Sequence, residues 1–237
     1  MIHAENVVKK YGRLVANDNI NIDVMPGELA VLLGPNGAGK STLIKCICGL
    51  LRFNGLITVG GHENHSIEAK RLLGYIPEIP TPYPMLTIYE HLEFIAHAYK
   101  LEDWKDLAEE LLVKFELSDK RKKLGKELSK GMQQKLSICC AMLPRPKAII
   151  FDEPLVGLDP HGIREVKSYI TELKNSDCAM LISTHIIDSM EENWDKTFIM
   201  REGKIAHVCS RGDAVSNESL EQLYFSITEN EKQSGDA

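Results

Sequence analysis

No uninterrupted apolar run in this chain approaches the roughly 18 residues that a membrane-spanning helix needs, so nothing in it reads as a span. The opening residues, Met1-Ile2-His3-Ala4-Glu5, lack a basic stretch followed by an apolar one, and no signal peptide is expected. Work at a membrane would need another polypeptide to supply the spans. A CxxC pair is absent too. Cys46, Cys48, Cys139, Cys140, Cys178 and Cys209 show no second cluster at zinc-ligand spacing, and the first four lie in apolar stretches. Buried free thiols in a reducing compartment are expected. Basic charge is not in excess: 28 Lys and Arg against 34 Asp and Glu give a net −6, so a nucleic-acid partner is not expected. The run Lys120–Lys123 reads as a solvated helix end or loop. Internal repeats are lacking as well.

What is present suits one large domain, or a domain with an inserted subdomain: 237 residues, 43% hydrophobic and 26% charged. Apolar runs at Ile20–Val24 and Leu29–Leu33 are separated by Met25-Pro26-Gly27-Glu28, a tight turn. Leu29–Leu33 is apolar throughout, as a strand buried on both faces should be. A glycine-rich loop, a helical stretch over Leu43–Leu50 and a return strand near Leu56–Val59 follow. Between about Thr87 and Pro144 the texture turns helical, with Leu107, Leu111, Leu112 and Phe115 at helical spacing. Prolines 77, 80, 82 and 84 mark the entrance to this segment, and 144 and 146 its exit. Buried strands resume at Ala148–Phe151 and Ala179–Ile182, with a helix between them whose apolar face is Ile163, Val166, Ile170 and Leu173. A hairpin is expected around Arg201–Lys204, and residues 227–237 read as a polar, frayed tail.

Gly34-Pro35-Asn36-Gly37-Ala38-Gly39-Lys40-Ser41 matches GxxxxGK[ST] without mismatch, after a strand and before a helix. Glycines let the backbone curl so that successive N–H groups face phosphate oxygens, and the helix adds its positive N-terminal end. Lys40 brings a charge to the β and γ phosphates, and the Ser41 hydroxyl suits Mg²⁺, a hard ion that prefers oxygen. A nucleoside triphosphate is the expected ligand. Asp152 and Glu153 close a buried strand, where open α/β sheets bind ligands. Asp152 is placed to hold hydrated Mg²⁺, and Glu153 to align and deprotonate the attacking water. His185 closes another apolar strand.

Across nearly its whole length the sequence resembles the nucleotide-binding domains of ABC ATPases, with several motifs in the family's order. Tyr11 looks like the adenine-stacking aromatic, and Gly34–Thr42 like the Walker A loop. Gly74–Glu78 is similar to the Q-loop, and Leu128–Gln134 to the signature motif. Ile149–Glu153 is similar to Walker B, Gly157–Pro160 to the D-loop and Ser183–His185 to the switch histidine. The resemblance implies a phosphate-loop α/β fold: a RecA-like core with a mixed sheet, an N-terminal antiparallel β portion, and an α-helical subdomain over about 87–144 within a domain spanning 1–226. It implies that ATP with Mg²⁺ lies between one Walker A loop, Thr42 included, and the partner's Ser129, Lys130, Gly131 and Met132 in a head-to-tail dimer. Asp159 would link the two sites, and His185 would contact the γ-phosphate. Binding closes the dimer and hydrolysis reopens it.

Three motifs depart from the family pattern. Glu78 replaces the Q-loop glutamine, an isosteric but anionic group that can still meet Mg²⁺. The signature reads Leu128-Ser129-Lys130-Gly131-Met132, and Leu155 stands where Walker B usually has threonine. Pro77-Glu78, Ser129–Met132 and the short C-terminal region resemble the exporter branch, whose members pair with separate membrane subunits. An ATPase subunit on the cytoplasmic face of a membrane is therefore expected, paired with a second copy or a sister domain. Two alternatives stay open: a soluble ABC ATPase outside transport, and an ATP-binding regulator with little hydrolysis. The intact Lys40, Asp152, Glu153 and His185 argue against the regulator, and the absence of tandem domains or long coiled-coil arms argues against the soluble ATPase. No Asn-Lys-x-Asp guanine-reading motif appears.

Overall fold

The computed structural model describes residues 1–186, 194–211 and 220–229. Strand β1 (Ile2–Tyr11) pairs antiparallel with β2 (Leu14–Val24) on one side and β4 (Asn54–Val59) on the other, and β5 (His62–Glu63) completes a four-stranded sheet. The second sheet has six strands. It comprises β3 (Leu29–Leu33), β6 (Leu73–Ile76), β7 (Ala148–Asp152), β8 (Ala179–Thr184), β9 (Lys196–Arg201) and β10 (Lys204–Ser210), in the order β10-β9-β3-β8-β7-β6. Five of these run parallel, and β10 joins the edge antiparallel through the expected hairpin.

Strands β3, β7 and β8 are buried at every position, and their alternate residues serve two cores. Leu29, Val31, Leu33, Ile149, Phe151, Met180 and Ile182 face one core, which also takes in the helices between β6 and β7. Ala30, Leu32, Ala148, Ile150, Ala179 and Leu181 face the other, shared with α1 (Lys40–Ile47) and the antiparallel sheet. A side chain buried on either face of such a strand contributes about 1.5–3 kcal/mol by its removal from water. The uniform apolarity of the three strands thus fixes a sheet covered on both sides.

Six-residue α2 (Ile67–Leu72) leads into β6. The helical segment then comprises α3 (Ile88–Tyr99), α4 (Lys105–Lys114) and α5 (Lys130–Met142). It starts at Thr87, whose hydroxyl accepts from Glu90 N while the Glu90 carboxylate accepts from Thr87 N, a reciprocal cap. Helix α6 (Pro160–Lys174) follows β7 and buries Val166, Ile170 and Leu173. Two boundaries differ from the sequence reading. Helix α1 begins at Lys40, three residues before Leu43, and ends at Ile47, because Gly49 at φ +69° turns the chain. Helix α7 (Leu220–Glu229) carries the fold past residue 226, since Leu220, Leu223 and Ile227 pack against the core at helical spacing. The rest of the expected tail, 230–237, lies outside the described residues. The six cysteines are thiols outside any disulfide, as expected, with Cys140 half-buried and the others buried.

Candidate active site

The C-terminal ends of β3, β8 and β7 lie side by side, with β8 in the middle, and each delivers one part of the site. From β3 the chain enters Gly34–Thr42. A Cβ on Gly34 would lie 2.3 Å from the Met200 carbonyl oxygen, so no side chain fits where the loop leaves the sheet. Gly39 caps α1 at φ +103°, and a Cβ there would meet the Ala16 carbonyl oxygen at 2.4 Å. Asn17 Nδ2 donates to the Gly39 carbonyl at 3.1 Å. Behind the loop, Gly203 N donates to Ala38 O at 3.0 Å, and Asp18 N donates to Gly203 O at 2.8 Å. The β9–β10 turn thereby buttresses the loop, a support that the sequence did not reveal.

Lys40 is buried within this arrangement. Its Nζ donates to Gly34 O at 2.7 Å and Pro35 O at 3.3 Å, and stands 3.4 Å from Glu153 Oε1. Ser41 Oγ donates to Asp152 Oδ1 at 3.1 Å, and Ser183 Oγ donates to the same oxygen at 2.6 Å. Glu153 N donates back to Ser183 Oγ at 3.0 Å and to Ser183 O at 3.2 Å. Ser183 therefore orients both carboxylate residues at once, although its position within the switch segment carried no such signal. Glu153 adopts φ +49°, a left-handed conformation that costs a residue with a side chain about 1 kcal/mol or more and clusters at working sites. Its second oxygen accepts from His185 Nδ1 at 3.0 Å. The Glu153 carboxylate is thus bracketed by a lysine on one side and an imidazole on the other.

These groups open onto one cavity of about 690 Å³. Tyr11, Asn36, Gly37, Ala38, Gly39, Lys40, Ser41, Thr42, Glu78, Glu153 and His185 all line it, so residues from 11 to 185 converge there. Leu14, Val15 and Ala16 supply an apolar wall near half-exposed Tyr11, and Glu202 and Gly203 of the hairpin turn close another side. Asp152 lies buried beneath, reaching the cavity through Ser41. Glu78 is exposed at the rim, without a hydrogen bond or ion pair among the described residues. Burial pushes the Tyr75 phenol on β6 well up, and Asp152 and Glu78 add to the shift, so this ring stays neutral beside the acidic pair.

The signature residues are not part of the cavity. Ser129 caps α5 and accepts from Met132 N at 3.3 Å; Lys130 is exposed on the first turn, while Gly131 and Met132 are half-buried behind it. Asp159 caps α6, accepting from Gly162 N at 2.7 Å. Within one chain these two helix starts present polar ends outward, away from the phosphate loop's own pocket.

A glycine-rich loop opening a helix, a carboxylate pair at the end of a neighbouring strand, and a cavity roomy enough for a nucleotide define a phosphate-loop nucleotide hydrolase. The sequence model of the ABC transporter family matches residues 17–156, more than half of the chain, and the chain belongs to that family. It is 36% identical to an uncharacterized ABC transporter ATP-binding protein, YdbJ of Bacillus subtilis, over 98% of this chain and 76% of the relative. The lantibiotic transport ATP-binding protein SrtF of Streptococcus pyogenes is 34% identical over 94% of this chain and 96% of its own. Among solved structures, an ATP-binding subunit of an ABC transporter superposes with a TM-score of 0.91 at 33% identity, covering 97% of this chain and all of the other. This chain is accordingly an ATP-binding, ATP-hydrolysing subunit of the ABC transporter type. Among the described residues no helix is long and apolar enough to cross a membrane.

Proposed function

We propose that this chain powers export. One cassette, running from residue 1 past 226 to the end of α7 at Glu229 and with its helical subdomain at about 87–144, pairs head to tail with a second copy or a sister domain. The pair works on a separate membrane permease at the cytoplasmic face. The observation that carries the chemistry is the convergence of Lys40, Glu153 and His185 at one end of the cavity that Tyr11 and the phosphate loop also line. In this reading Tyr11 stacks on adenine and backbone amides among residues 36–42, the part of the loop that lines the cavity, hold the phosphates. Lys40 neutralises the phosphate oxygens. Glu153, held at φ +49° and flanked by two nitrogen groups, takes the proton of the attacking water, and His185 contacts the γ-phosphate. Ser41 and Asp152 offer oxygen donors whose atoms already stand 3.1 Å apart, a donor set that fits Mg²⁺, with Glu78 at the rim as a further carboxylate. When bound, that ion supplies charge neutralisation of the phosphates.

Ser129, Lys130, Gly131 and Met132 serve the partner's nucleotide, and Asp159 connects the two sites. The exposed starts of α5 and α6 support this reading, because a capped helix N-terminus favours an anion. Export is supported by relatives: one is named a lantibiotic transport protein, and a Haemophilus influenzae relative, 30% identical over 95% of this chain, belongs to a lipopolysaccharide export system. A permease contact is supported by exposed Ile79, Tyr83, Met85 and Phe94 at the entrance to the helical segment, with the Tyr83 and Phe94 rings 5.4 Å apart.

The test uses Glu153→Gln as bait with ATP and Mg²⁺ in detergent-solubilised membranes, alongside phosphate release by the native chain. Arrest of turnover and co-purification of a partner with several membrane spans is the expected result. Recovery of soluble proteins alone would overturn the transport reading, and near-native turnover would overturn the role of Glu153.

A further inference from the structure

The two segments assigned to the partner's site begin adjacent helices, and a single ion-pair cluster joins those helices. Lys135 Nζ on α5 lies 2.7 Å from Glu165 Oε2 on α6, with the side chains 15% and 16% exposed. The same ammonium stands 3.5 Å from Glu116 Oε2 at the end of α4, and His161 Nδ1 lies 3.6 Å from Glu165 Oε2. His161, Glu116 and Glu165 bring their ligand atoms within 4.8 Å of one another, as a cation site would. Here the cation is a side chain, since Lys135 pairs with both carboxylates. So little exposure leaves the Lys135–Glu165 pair weakly screened by salt, while Glu116 and His161 stand in the open.

Its placement gives it a purpose. Lys135 is six residues beyond Ser129, the cap of α5, and Glu165 is six residues beyond Asp159, the cap of α6. At a rise of about 1.5 Å per residue, the bridge crosses each helix at the same depth, about 9 Å from its start. The two helix starts are therefore held level. They also touch at the tip: the Lys130 side chain lies so close over Gly157 that a Cβ there would meet Nζ at 2.4 Å. A Cβ on Gly131 would stand 3.8 Å from Leu158 Cδ2, at ordinary contact.

Resting on the paired-cassette reading above, we propose that Lys135 is a positioning residue: through Glu165 it locks the starts of α5 and α6 together, so that Ser129 and Asp159 meet the partner cassette as one preformed surface. Lysine suits the task because one compact ammonium can stand against two carboxylates at once, 2.7 Å from Glu165 and 3.5 Å from Glu116. The bridge lies away from the nucleotide cavity, so its loss acts on pairing and leaves binding within one chain alone.

The experiment measures ATP-driven dimerisation of Glu153→Gln by sedimentation, and binding of a fluorescent ATP analogue to the monomer at low protein concentration. Lys135→Met keeps the aliphatic stem and removes the charge. On the Glu153→Gln background it is expected to weaken the dimer about tenfold while analogue binding stays within about twofold, and Lys135→Arg is expected to restore most of the loss. The exchange Lys135→Glu with Glu165→Lys should recover part of it. Should Lys135→Met fail to fold, Glu165→Gln reads the same pair. Equal dimerisation with and without Lys135, or equal loss of analogue binding, overturns the proposal. If Glu153→Gln itself stays monomeric with ATP, the paired-cassette reading falls first and takes this inference with it.

Discussion

Replacing Ser183 by alanine isolates a hydroxyl that touches no nucleotide yet orients both acidic residues. Ser183 is fully buried; its Oγ donates to Asp152 Oδ1 at 2.6 Å and accepts from Glu153 N at 3.0 Å. A hydrogen bond to a charged group contributes about 1.5–3 kcal/mol. The losses are partly covered, because Asp152 keeps Ser41 Oγ at 3.1 Å and Glu153 N keeps Ser183 O at 3.2 Å. The lower half of the range applies, about 2 kcal/mol. For a chain of this size that lowers the melting temperature by about 4–8 °C. If the same energy is lost from the transition state, kcat falls about 30-fold. KM for ATP should change little, since Ser183 does not line the cavity. Steady-state phosphate release and thermal unfolding read both effects. A Ser183→Ala enzyme with kcat within twofold of native would show that the carboxylates are held by the backbone and Ser41 alone.

Three further outcomes follow from the same geometry. Lys40→Ala removes the buried ammonium facing Glu153 and the phosphate loop, so ATP affinity should drop at least about tenfold by calorimetry; unchanged affinity would sink the phosphate-loop assignment. Gly39→Ala places a Cβ 2.4 Å from the Ala16 carbonyl oxygen at φ +103°, and should cost about 2–3 kcal/mol in urea unfolding together with nucleotide binding; a stable, ATP-binding variant would contradict the close approach of Ala16 to the loop. Burial raises the Cys46 and Cys178 thiols to about 11 from an ordinary value of 9.0. The unfolded chain therefore loses these protons first, so their contribution to stability is whole below pH 9 and is lost as pH climbs through 11. The urea midpoint should fall as pH rises from about 9 to about 11, and a constant midpoint would show the thiols to be free of that burial.

Strands buried on both faces were legible because nothing polar interrupts them. Leu29–Leu33, Ala148–Asp152 and Ala179–Thr184 each sit where an apolar run ends in a small or polar residue. Strand β1 was not. Ile2 and Ala4 are buried at a spacing of two, but Asn6 at φ +52° shifts the register, and the next buried residue is Val7. A bulge of this kind breaks the alternation that identifies a half-buried strand. The sheet order was equally hidden. Placing β8 between β3 and β7 depends on pairing Ala30 with Leu181, 151 residues apart, and Ala148 with Ala179, 31 apart, and no local pattern records them.

The site divides along the same line. Gly34–Ser41, Asp152 and Glu153 could be read because glycines, a lysine, a hydroxyl and a carboxylate pair stand at short, fixed spacing after a strand, whereas His185 took its role from the resemblance. The supports could not, because they act across long separations and often through the backbone. Gly203 N holds Ala38 O, and any residue but proline offers that amide; what asks for glycine is the turn's φ of +79° and the Ala16 carbonyl oxygen, 2.9 Å from where a Cβ would stand. Asn17 lies in Leu14–Val24, where polar and apolar residues mix, so an amide that holds Gly39 looks like any other polar strand residue. The signature shows a third case. Resemblance located Ser129–Met132 and Asp159, but the sequence held no hint that Lys130 covers Gly157 or that Lys135 meets Glu165. Residues that touch ligand are constrained by the ligand's fixed chemistry and so repeat from protein to protein in recognisable form. Residues that hold them are constrained only by one another, and a Lys–Glu pair across two helices can be replaced by other pairs without leaving a motif.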